Sequence, residues 1–99
     1  MTKKQEFTVA QARLKSLYMH APDVVKRRAW EVFGKTDKYF RVVIGGKHNP
    51  SIDTILSAIQ ALKQAYSDCK VEYKESYDRG QKAVDDIEVE FQEIKANQD

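Results

Sequence analysis

The chain has 99 residues, 41% of them hydrophobic and 32% charged, which suffices for one small core and excludes a large enclosed active site. One cysteine, Cys69, supports neither an intramolecular disulfide nor a cysteine-based zinc site, and no apolar run reaches the length of a membrane span. The net charge of +2 is sorted by half: residues 1–50 carry eleven Lys/Arg against four Asp/Glu and residues 51–99 carry six against eleven, so a basic half suited to nucleic acid precedes an acidic half that avoids it and can meet a different, protein partner.

Residues 1–7 are polar and are expected to fray, and they hold no signal-peptide hydrophobic region, which makes a cytoplasmic, nucleoid-associated location the expectation. Thr8-Val9-Ala10-Gln11 fits a capping box that starts a first helix running to about His20, with Ala10, Leu14, Leu17 and Tyr18 as its apolar stripe. Ala21-Pro22-Asp23 breaks that helix, because a residue before proline avoids the helical region, and Pro22 with Asp23 suits the first turn of a second helix over 22–33. Val25, Ala29, Val32 and Phe33 form its inner face, leaving Lys26, Arg27 and Glu31 outside. Gly34 suits a left-handed helix end and Thr36 caps the next helix through its hydroxyl.

The third element is locally ambiguous. Tyr39-Phe40-Arg41-Val42-Val43-Ile44 is rich in strand-forming residues, and residues 87–94 alternate with period two and could pair with it. Helix is favoured, since Phe40, Val43 and Ile44 share a helical face between the Thr36 cap and a Gly45-Gly46 stop. Asn49-Pro50-Ser51 then opens a fourth helix with the stripe Ile52, Ile55, Leu56, Ile59, Leu62. Large residues continue at spacings of three and four to Ile94, as in a coiled coil, although Asp78-Arg79-Gly80 also suits a turn between two shorter helices. Tyr77, Val84, Ile87, Phe91 and Ile94 are the expected seam of a homodimer.

No constellation suits catalysis. His20 and His48 lie outside any metal-ligand spacing, Gly45-Gly46-Lys47 lacks the remainder of a phosphate-binding loop, and Asp85, Asp86, Glu88, Glu90 and Glu93 read as a solvated helix face. The expectation is a non-enzymatic protein without metal or cofactor.

Two helices joined by a tight glycine-containing turn make a helix-turn-helix. The order of Gly34, Thr36, Phe40, Val43, Gly46-Lys47 and Pro50 resembles the phage-repressor (Xre/Cro-type) helix-turn-helix family over roughly residues 10–64. Trp30 departs from that pattern, which usually keeps a small residue there; either the helix crossing is wider or Ala29 takes the role. Asp37 departs as well, standing where the family often has a base-reading amide or hydroxyl. The resemblance implies an all-α fold, a compact helix-turn-helix bundle of four to five helices over 8–65 followed by a C-terminal helical extension over 66–97. It further implies a bacterial, phage or mobile-element source and a small repressor-like transcriptional regulator that binds double-stranded DNA sequence-specifically as a dimer. On that geometry Asp37, Lys38, Tyr39, Arg41 and Val42 face bases, while Lys26, Arg27, Lys35, Thr36, Lys47 and His48 lie along phosphates. The alternative is an antitoxin-like or other protein-interaction module that uses the same scaffold without regulating transcription.

Overall fold

The computed structural model describes residues 3–45, 50–69 and 74–97, with the backbone alone for residues 3, 4 and 74–77. Five helices follow one another: α1 (Lys3–Met19), α2 (Asp23–Phe33), α3 (Asp37–Ile44), α4 (Ile52–Cys69) and α5 (Lys74–Ala96). The class is all-α, with no strand among the described residues, and none of the described helices is long and apolar enough to cross a membrane.

α1 begins at Lys3, ahead of the expected start. Thr8 is therefore an exposed residue inside the helix, and the capping box does not set its start. The physical reason is Phe7, whose ring meets Phe91 of α5 edge to face at 5.8 Å between centroids. That contact gives the first two turns apolar surface to bury, which outweighs a local cap signal worth about 1 kcal/mol. Ala10, Leu14 and Tyr18 enter the core as expected, and Leu17 packs at its edge.

α2 starts after Pro22 and ends on Gly34 in the left-handed conformation (φ 81°). The Gly34 N–H donates to the Glu31 carbonyl and the Lys35 N–H to the Trp30 carbonyl, so the last carbonyls are satisfied in a Schellman arrangement. Val25 and Ala29 are fully buried. Val32, expected inside, is 39% exposed and corrects the assigned face, because the core side of α2 runs through Val25 and Ala29 with Trp30 and Phe33 at its margins. Ala29, and not position 30, is thus the small residue packed into the core.

Residues 37–44 are helical, and burial decides it: Phe40, Val43 and Ile44 all point into the core. Thr36 caps α3, its hydroxyl accepting from the Tyr39 N–H at 3.2 Å. Ser51 is the cap of α4, its Oγ accepting from the Thr54 N–H at 3.1 Å. α4 is the central helix, burying Ile55, Ala58, Ile59, Ala61, Leu62, Ala65 and Tyr66, and it packs on α2, α3 and α5. Cys69 closes α4 as a half-buried residue against the same core.

α5 runs antiparallel to α4. Lys95 near its end pairs with Asp53 at the start of α4, whereas Asp85 and Glu88 pair with Lys63 at 3.3 and 3.0 Å. It also packs on α1, where Arg13 pairs with Glu90. Gly80 lies inside α5, so residues 78–80 form no turn. The expected boundary between residues 65 and 66 falls within α4. Of the residues of the expected dimer seam, Val84, Ile87 and Phe91 are fully buried in this chain's own core, with Ile94 packed at its edge. The stripe is covered intramolecularly because α5 folds back over α1 and α4, where Arg13 and Lys63 meet its carboxylates. The side chain of Tyr77 lies outside the described residues.

Candidate nucleic-acid interface

The corner between α2 and α3 is built by aromatic packing. Phe40 meets Phe33 edge to face at 5.4 Å and the tilted ring of Tyr18 at 4.9 Å, so three rings from three helices fix where α3 sits. A three-residue connection, Gly34 to Thr36, leaves little freedom between the helices. With one side of α3 committed to the core, Lys38, Tyr39 and Arg41 are exposed and Val42 is half-buried.

These residues are not equivalent. Tyr39 stacks on Phe33 at 6.2 Å, and the Lys35 ammonium sits 5.5 Å from the centre of its ring, which presents an aromatic edge with a cation beside it. Lys38 and Arg27 are exposed and make no ion pair among the described residues. Lys26 lies 3.8 Å from Asp23. The Thr36 hydroxyl is engaged as the helix cap. Lys47 and His48 lie outside the described residues.

The run Lys26-Arg27-Arg28 divides in the fold. Arg28 turns to α4, where its Nε donates to Asp68 at 2.7 Å, with Glu31 at 3.8 Å on its other side. Hydrogen bonding to Asp68 holds the Arg28 guanidinium more firmly protonated than usual and, from the other side, pulls the Asp68 carboxyl below its ordinary range. Arg27 instead lines an open groove of about 680 Å³ with Met19, Val24, Trp30, Asp37 and Arg41. The groove therefore joins α2 to the start of α3, lined by Val24 and Trp30, by the cations Lys26, Arg27 and Arg41, and by the carboxylates of Asp23 and Asp37.

Asp37 is the residue whose surroundings the sequence conceals. One carboxylate oxygen accepts from the Tyr18 hydroxyl at 2.5 Å, and the other lies 3.2 Å from Nε of Arg41, one helical turn on. Tyr18 is fully buried. Burial first, and then the hydrogen bond to Asp37, push its hydroxyl well above the usual tyrosine value, so it remains a donor. Tyr18 is absent from the expected site; the available signal is a tyrosine in an otherwise apolar stripe, since a buried phenol needs a hydrogen-bond partner. The other expected base-facing residues, Lys38, Tyr39, Arg41 and Val42, do share one short helix with Asp37.

In comparisons with known proteins, no family model, no curated protein and no solved structure matches the chain.

Proposed function

We propose that this protein binds double-stranded DNA sequence-specifically, α3 entering the major groove, and acts as a small repressor-like transcriptional regulator in the cytoplasm. The observation that carries the reading is the pairing of a tight α2–α3 corner with the sidedness of α3. Phe40, Val43 and Ile44 are buried while Lys38, Tyr39 and Arg41 are exposed on a helix whose first turn is fixed by Thr36 and Tyr18. A major groove about 12 Å wide admits one such helix. Arg41 and Lys38 are donors suited to guanine O6 and N7, and Val42 offers an apolar contact to a thymine methyl. Arg27 and Lys35, at the flanks, supply phosphate contacts that position the helix without reading sequence.

The reading does not include dimerisation through α5, whose apolar stripe is spent inside the chain. The test is selection of duplexes from a random pool, followed by gel-shift titration of the selected site and a scrambled one at several salt concentrations. The expected result is a preferred site bound at least about a thousandfold more tightly than the scrambled duplex. Binding of every duplex no tighter than about 10⁻⁵ M at low salt, the level of non-specific contact, would overturn the regulator in favour of a protein-interaction module.

A further inference from the structure

We propose that Tyr18 and Asp37 are positioning residues for Arg41, so that a buried phenol in α1 determines how sharply α3 discriminates among bases. The inference rests on the DNA-binding reading and adds to it the residues that set specificity.

Its basis is a three-residue chain with fixed geometry. Tyr18 is fully buried, and its ring is held by Phe40 at 4.9 Å. Its hydroxyl, aimed out of the core, donates to one Asp37 oxygen at 2.5 Å. Asp37 is the first residue of α3, and its second oxygen meets Nε of Arg41 at 3.2 Å. The contact with Asp37 is an ion pair at Nε, and the four N–H donors of the terminal nitrogens remain for a two-acceptor edge such as that of guanine. Arg41 is 50% exposed, and a long side chain so exposed ordinarily samples many rotamers that must be frozen on binding. The carboxylate limits that sampling, and Tyr18 in turn keeps the carboxylate from rotating away. Asp37 therefore acts on base recognition through Arg41.

Two measurements test this. In free protein, nitrogen-15 NMR of the arginine Nε–H groups is expected to show Arg41 exchanging with solvent more slowly than exposed Arg27, and Tyr18→Phe and Asp37→Asn are both expected to remove that difference while the amide spectrum stays folded. On DNA, Tyr18→Phe is expected to lower discrimination between the selected site and its variant at the Arg41-contacted base pair by about tenfold, the scale of one hydrogen bond to a charged group, with scrambled-duplex affinity and salt dependence unchanged. In the Arg41→Ala background the same change is expected to have no effect. An Arg41 Nε–H that exchanges as fast as that of Arg27 in wild type overturns the positioning chain whether or not DNA is bound. Undiminished discrimination by Tyr18→Phe overturns it too, while leaving DNA binding by α3 standing. A wild type without duplex preference removes the DNA reading and this inference together, even where the NMR protection is found.

Discussion

The ring of Tyr66 occupies the space that a side chain at Gly80 would need: a Cβ there would lie 2.5 Å from Cε1 and Cζ of the tyrosine. Glycine inside a helix costs about 1 kcal/mol relative to alanine, so its presence in α5 reflects the approach of α5 to α4. Gly80→Ala is expected to lower stability by about 1 to 2 kcal/mol despite the gain in helix propensity, since Tyr66 is only 5% exposed and must be displaced into packed surroundings. Urea unfolding followed by circular dichroism measures it, and a more stable variant would show that the ring moves aside freely.

Burial of Ile87 and Phe91 within the chain changes what their loss should do. Replacing both by Asp places two carboxylates in the core, each change removing several kcal/mol of a total stability of about 5 to 15 kcal/mol. The expected outcome is a protein that fails to fold, with helicity lost throughout and not in α5 alone. Sedimentation showing a folded double variant at half the wild-type mass would instead place these residues in a dimer interface.

The punctuation of this fold is legible in the sequence because it is local chemistry. Pro22, Gly34, Thr36 and Ser51 each act on backbone groups within a few residues, and each stands where its helix starts or stops. Thr8 carries the same kind of signal and is overridden by Phe7, whose partner Phe91 is remote in the chain. The stripe Val84, Ile87, Phe91 shows the limit of periodicity, which marks a face for burial without saying what covers it. Here α1 and α4 cover it, and the charges that favour this, Arg13 with Glu90 and Lys63 with Asp85 and Glu88, pair residues that no spacing rule connects. The exposed face of α3 follows from its amphipathic pattern. The anchoring of Asp37 by Tyr18 does not, because it depends on how α1 crosses the start of α3.

The Arg28–Asp68 pair should leave a pH signature. The folded-state pKa of Asp68 lies below its ordinary value, chiefly through the Arg28 hydrogen bond and then that of Gln64. A depressed carboxyl pKa contributes stability that is present above the unfolded value of about 4 and is lost as pH falls through the folded one. Arg28→Ala is thus expected to lower Tm slightly at pH 7 and not at pH 2, and added salt should shrink the difference at pH 7, since both groups are solvent-accessible. Thermal melts of wild type and variant across that range decide it; an equal loss at both ends would assign the effect to packing of the arginine stem.

The adjacent arginines Arg27 and Arg28 separate DNA contact from general positive charge, because the fold gives them different partners. Arg27 is exposed beside the groove at the α2–α3 corner, whereas Arg28 is tied to Asp68 at 2.7 Å. Arg27→Ala is expected to weaken every duplex about equally and to shallow the log-log salt slope by about 0.9, the contribution of one phosphate contact. Arg28→Ala removes the same formal charge and is expected to leave that slope unchanged. Arg41→Ala provides the third pattern, a loss of about 1 to 3 kcal/mol on the selected site with little change on a scrambled one. Gel-shift titrations of the three variants at four salt concentrations distinguish the patterns directly. If Arg28→Ala shallows the slope as much as Arg27→Ala, Arg28 leaves Asp68 on binding and the contact surface extends along α2 toward α4. If all three variants lose affinity in parallel on every duplex, attraction to DNA is a property of net charge, and α3 reads no sequence.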